Sequence, residues 1–122
     1  GKQRIVPIHE KIKGLVKDNY DKASELGTGY LFNDKGRTHS GSYAMTYDKY
    51  NKRFKKVMNK LNLNPEHRPH DPRMTFITRC KKSEVDEYAL KEMVGHSIKD
   101  ITESTYTVRD LEWLRKDLAK LQ

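Results

Sequence analysis

The sequence predicts a mainly α-helical domain with a few short β-strands, on three observations. Apolar residues recur at helical spacing in several separate segments. Hydroxyl and acidic residues that suit helix starts punctuate the last third of the chain. Runs of β-branched or aromatic residues that suit a strand are few and brief, and lie toward the front. The 122 residues fit one domain over 1–122, a size that buries very roughly 65% of the unfolded chain's surface and supports one modest core. Hydrophobic and charged residues each make up 34%, which leaves little apolar material for a second core.

Taken in order, Arg4-Ile5-Val6-Pro7-Ile8 combines β-branched residues with a proline that cannot donate to a ladder, so a short edge strand is expected there. Ile12, Leu15, Val16 and Tyr20 then recur at helical spacing, predicting a helix over 10–24 that Gly27 and Gly29 interrupt. Tyr30-Leu31-Phe32 suits a brief strand ended by a turn at Asn33-Asp34-Lys35-Gly36, and 37–42 reads as loop. Over 43–61 a helix is clearer, with Tyr50, Phe54, Val57 or Met58, and Leu61 on one stripe. Lys49, Lys52, Arg53, Lys55, Lys56 and Lys60 occupy much of its remainder, either as an ordinary solvated face or as a face for phosphates. An Asn- and Pro-rich connection over 62–69 leads to a helix carrying Met74, Phe76 and Ile77.

Three pairs then share one design: Ser83 with Asp86, Ser97 with Asp100, and Thr107 with Asp110. A hydroxyl that caps the first turn, with an acid three residues on, predicts helices near 84–94, 98–105 and 108–121. The last places Leu111, Leu114, Leu118 and Leu121 on one side, a stripe that suits local core or docking on a neighbouring molecule.

Charge narrows the function. Lys and Arg number 25 against 17 Asp and Glu, a net +8 that draws in polyanions, with nucleic acid the first candidate. The lone Cys80 can form no intrachain disulfide and excludes a multi-cysteine zinc site, which suits a reducing, cytoplasmic compartment. It follows an apolar stretch and reads as a core thiol rather than a nucleophile. No apolar run is long enough to span a bilayer, and the first residues lack the apolar segment of a signal peptide.

Four residues suit chemistry on a phosphate. In His70-Asp71-Pro72-Arg73, i to i+3 spacing turns an imidazole and a permanent cation toward one side if a helix begins at Pro72. A guanidinium makes paired charge-assisted bonds to phosphate oxygens, and an imidazole can donate a hydrogen bond or move a proton near pH 7. In Met93-Val94-Gly95-His96-Ser97-Ile98, Gly95 is placed to close one helix and Ser97 to open the next, so His96 sits at a sharp junction. Tyr106 falls ten residues later, between two expected helices. Its phenol can attack a phosphodiester, provided electropositive neighbours or a base offset a pKa near 10. Taken singly, each has a plainer reading: His and Arg cap helix ends, and most tyrosines are buried with a bonded hydroxyl.

Together, Arg4-Ile5-Val6-Pro7-Ile8, Tyr30-Leu31-Phe32, the 43–61 helix, His70-Asp71-Pro72-Arg73-Met74-Thr75-Phe76-Ile77-Thr78, Val94-Gly95-His96-Ser97 and Thr105-Tyr106 resemble the tyrosine recombinase family, whose phage and transposon integrases cut and rejoin DNA. The ordered set of HxxR, GHS and a tyrosine ten residues on is more specific than any one piece. The resemblance implies a partial catalytic-domain fold, the C-terminal part of that domain. It implies that Tyr106 attacks the scissile phosphate to leave a 3′-phosphotyrosine and a free 5′-hydroxyl. Arg73 would grip nonbridging oxygens, His70 would assist by hydrogen bonding and proton transfer, and His96 would contact the phosphate. No metal or nucleotide cofactor is implied. The implied partners are double-stranded DNA and further copies of the chain, a tetramer on paired sites, with the segment after Val108 packing on a neighbouring protomer.

Family members commonly carry leucine at the position of Pro72 and histidine at that of Met74, so local repacking is expected. The family's first catalytic arginine and its hairpin lysine would lie ahead of Arg4, which reads as a strand residue. Poor activity is therefore expected of residues 1–122 alone. The alternative is a noncatalytic DNA-binding module using the lysine-rich helix; covalent trapping of DNA separates the two. A protein-interaction domain using the leucine stripe would instead self-associate without DNA affinity. Type IB topoisomerases share the tyrosine chemistry, and strand exchange against simple relaxation separates them.

Overall fold

The computed structural model describes residues 3–34, 43–97 and 109–122. A 3-10 turn at Glu10–Ile12 runs into α1 (Lys13–Leu26), followed by α2 (Tyr47–Lys60), α3 (Asp71–Lys82), α4 (Glu87–Val94) and α5 (Leu111–Leu118). The mainly α expectation holds. Among the described residues, strand pairing reduces to an isolated antiparallel bridge between Asn33 and Ala44. The strands expected at 4–8 and 30–32 are not formed there, because β-branched and aromatic side chains make a segment suitable for a ladder but do not supply its partner. Ile5, Val6 and Ile8 are exposed, while Pro7 is buried. The helix expected near 98–105 lies outside the described residues.

The chain forms two compact units, one of residues 1–13 and 72–122, the other of 14–71. In the first, Cys80, Val85, Ala89, Leu90, Met93, Val94, Leu114 and Leu118 make the core, with Phe76, Ile77 and Leu121 packed on it. Fully burying a Val, Leu or Met side chain contributes roughly 1.5–3 kcal/mol, so Val85, Leu90, Met93, Val94, Leu114 and Leu118 each add to its cohesion. Leu114, Leu118 and Leu121 of the α5 stripe thus belong to the core of their own chain, while Leu111 stays about 37% exposed. His9 ties the N-terminal segment to this unit: its Nε2 lies 2.7 Å from Leu121 O, while its Nδ1 accepts from the Lys11 amide at 3.1 Å. Both contacts are satisfied by one neutral tautomer, with the proton on Nε2. Cys80 is wholly buried and burial pushes its thiol pKa up, which suits an inert core residue.

In the second unit, α1 and α2 bury Ala23 and Met58, while Leu15, Tyr20, Tyr50 and Leu61 remain exposed. Thr46 caps α2 by accepting from the Lys49 amide. Asp34 takes a charged hydrogen bond from Lys49 and another from Arg53 at 2.8 Å. Two of the basic residues of α2 are thereby spent on structure. Lys52, Lys55, Lys56 and Lys60 stand exposed on neighbouring turns.

Four helices end alike, and this corrects one of the two expected helix starts that the structure moves. After α1, α2, α3 and α4 a residue with positive φ follows, namely Gly27, Asn62, Glu84 and Gly95. Each time its amide bonds three residues back, and the next amide five back, as Val85 to Cys80 O at 3.0 Å. Ser83 therefore belongs to the end of α3, and cannot open α4. The acid takes over: Asp86 accepts from the Ala89 amide and Asp110 from the Trp113 amide, so each is the N-cap rather than the third helical residue. The helices start accordingly at Glu87 and Leu111 instead of near 84 and 108.

Glu84 holds φ 58 without glycine's freedom. A left-handed conformation costs an L-residue roughly 1–2 kcal/mol, partly offset in a glycine replacement by the freer unfolded chain. We expect Glu84→Gly to stabilise the protein by about 0.5–1 kcal/mol, seen as a higher denaturant midpoint at unchanged slope. A lower midpoint would contradict this reading of the α3 end.

Candidate active site

Arg73 sits in the first turn of α3, where Pro72 costs nothing because the early amides of a helix have no partners within it. Its Nη2 donates to Val94 O, and the guanidinium is half-buried. It thereby reaches the C-terminus of α4, where unsatisfied carbonyls and the helix dipole favour a cation. Among the described residues its other N–H groups have no partner and remain available to an anion.

Gly95 closes α4 with φ 75, as its sequence context predicts. The His96 amide donates to Lys91 O at 2.9 Å, fixing the turn, and its side chain is exposed. His96 lines a cavity of about 410 Å³ together with Arg4, Glu92, Gly95 and Arg109. The structure thus brings Arg73 to the carbonyl two residues before His96, although 23 positions separate the pair in sequence.

His70 is exposed and lies in the unit of residues 14–71, immediately ahead of α3. Its neighbour Asp71 accepts from the Arg68 amide at 2.8 Å and lies 3.3 Å from His67 Nδ1. These contacts, the amide first, hold its carboxyl below the usual carboxylate range. Tyr106 lies outside the described residues.

Two residues near His96 were not singled out by sequence. Arg4, read there as a strand residue, sends its guanidinium to α4, with Nε 3.0 Å from Met93 O. Arg109 is sandwiched between the rings of Tyr88 and Trp113, at 5.0 and 4.8 Å from their centroids, and its Nε donates to Asp86 Oδ2 at 2.9 Å. Its amide also reaches Glu92. Arg109 and Trp113 stand four apart, a local hint of contact, whereas nothing in sequence links Arg4 to Met93. Among the described residues, no three His, Cys, Asp or Glu side chains stand together in a way that could hold a metal ion.

A model of the phage integrase family matches residues 1–112 of the 122. The chain belongs to the phage integrase family. Membership of this family, the tyrosine recombinases, implies DNA integration or recombination in general, and with it DNA binding. The matched span takes in His70, Arg73, His96 and Tyr106. The fold agrees with part of that family's helical domain. No described helix of the integrase chain is long and apolar enough to cross a membrane. No curated protein and no solved structure matches it.

Proposed function

We propose that residues 1–122 belong to the catalytic domain of a site-specific tyrosine recombinase of a mobile element. The observation that carries the reading is Arg73 bonded at the end of α4 beside the Gly95-His96 turn, within a chain of the integrase family. Tyr106 is the nucleophile: its phenolate oxygen bonds to the scissile phosphorus as the bond to the 5′-oxygen breaks, and that oxygen leaves with a proton. The 3′-phosphotyrosine keeps the bond energy, so a 5′-hydroxyl rejoins the strand by the reverse displacement without a nucleotide. Arg73 and His96 meet the charge that develops on the nonbridging oxygens, and His70 hydrogen-bonds and moves a proton. The family resemblance supports assembly as a tetramer on paired DNA sites. Covalent trapping on a nicked duplex, read as a protein–DNA adduct on a denaturing gel, tests the mechanism; its absence from a longer, DNA-binding form of the protein would refute it.

Two further expectations attach to this reading. The family's first arginine and hairpin lysine have no assigned counterpart within residues 1–122. We expect this segment alone to cleave at least about 100-fold more slowly than a longer form that supplies them, since one electrostatic donor contributes roughly 2.7–4 kcal/mol. Equal, strong cleavage by both would refute it. DNA binding through α2 is favoured by its four exposed lysines, Lys52, Lys55, Lys56 and Lys60. Replacing them by glutamine should flatten the salt dependence of duplex binding by about 0.9 in log–log slope for each phosphate that is no longer neutralised. An unchanged slope would mean that this face is merely solvated. A noncatalytic DNA-binding module would give the same salt effect without the adduct.

A further inference from the structure

The N-terminal segment and the end of α4 meet at one arginine. Arg4 Nε donates to Met93 O at 3.0 Å, across 89 positions of sequence. A Cβ built on Gly95 would fall 2.9 Å from Arg4 Nη1 and 3.3 Å from its Cζ, so the guanidinium fills the space that a side chain at 95 would take. Gly95 is demanded by its φ of 75, and a side chain there would also have to displace the Arg4 guanidinium. Arg73 donates to the very next carbonyl, that of Val94.

We propose that Arg4 is a positioning residue for His96, holding the end of α4 so that the imidazole stands where it meets the phosphate. The inference rests on the reading of His96 given above. The last carbonyls of a helix are unsatisfied acceptors at the negative end of its dipole, and two guanidiniums on consecutive carbonyls fix both. His96 leaves the helix directly after the glycine that Arg4 packs on, so movement of this turn is transmitted to the ring. A role for Arg4 as a second phosphate grip is disfavoured. Glu92 and Asp110 line the same cavity and bring as many negative charges as Arg4 and Arg109 bring positive ones.

The test compares Arg4→Ala, Arg4→Lys and His96→Ala in the longest DNA-cleaving form of the protein, measuring single-turnover cleavage of a nicked duplex and, separately, duplex affinity. Misplacing a group by about 1 Å can cost on the order of 100-fold in rate. Arg4→Ala should therefore slow cleavage about 10- to 100-fold at saturating DNA, with affinity held. Arg4→Lys, which keeps one donor for Met93 O, should recover part of the rate. The His96 amide resonance should shift in both variants, more in Arg4→Ala, while amides in the middle of α3 stay in place. Gly95→Ala and Arg4→Ala should combine less than additively, because removing the guanidinium frees the space for the new methyl.

Slowed cleavage in His96→Ala with normal cleavage in Arg4→Ala would overturn this inference alone. Normal cleavage in His96→Ala would overturn the reading of the site itself. A loss in Arg4→Ala that lies wholly in affinity would also overturn positioning. Should Arg4→Ala not fold, an unmoved His96 amide and a normal rate in Arg4→Lys would do the same.

Discussion

Replacing Tyr106 with phenylalanine should abolish covalent capture of DNA while leaving duplex affinity unchanged. The substitution removes a single oxygen and keeps the ring, so neither the charge nor the bulk of the chain changes. Without that oxygen the proposed nucleophile is lost, and the one thiol does not replace it, because Cys80 is buried with its pKa raised. Removing the nucleophile of a concerted catalytic set commonly costs at least about 10³-fold, down to background. An adduct formed by Tyr106→Phe at the normal rate would end the assignment. An adduct mapped to another tyrosine would move the nucleophile and retain the chemistry.

The second large effect is expected at Arg73. Arg73→Ala should slow cleavage by about 10²–10³-fold, the usual cost of losing a donor aimed at developing charge. It should also lower stability, since the guanidinium bonds Val94 O at the end of α4, and hydrogen bonds to charged groups contribute about 1.5–3 kcal/mol. The half-exposed position of Arg73 places the loss at the lower end of that range. Arg73→Lys separates the two roles. A lysine keeps the charge and one donor, but lacks the fork that can hold a carbonyl and a phosphate together. Stability should therefore recover more than rate, as measured by denaturant titration beside single-turnover cleavage. If both variants cleave normally, Arg73 is only a strut between α3 and α4.

The difference between those two positions shows what could be read in advance. Helix positions follow from local periodicity and from side chains that bond backbone within a turn, so α1, α2 and α3 lie close to where their sequences put them. The glycine closing α4 was legible for the same reason: only local φ decides it. The start of α4 is displaced because two local devices compete for Ser83, and the carbonyls at the end of α3 claim it. The capping roles fall to Asp86 and Asp110.

By itself the sequence determined the helical class, the basic charge and the ordered set His70, Arg73, His96 and Tyr106 on which the resemblance to the integrase family rests. Only the tertiary structure decided that residues 4–8 form no strand, that Leu114, Leu118 and Leu121 turn into their own core, and that Arg4 and Arg73 take consecutive carbonyls of α4. The physical reason is range. A cap or a helical stripe is satisfied within a few residues, whereas a carbonyl at a helix end accepts any donor that packing delivers. Here that donor comes from 89 positions away for Met93 and 21 for Val94, distances over which neighbouring residues carry no signal.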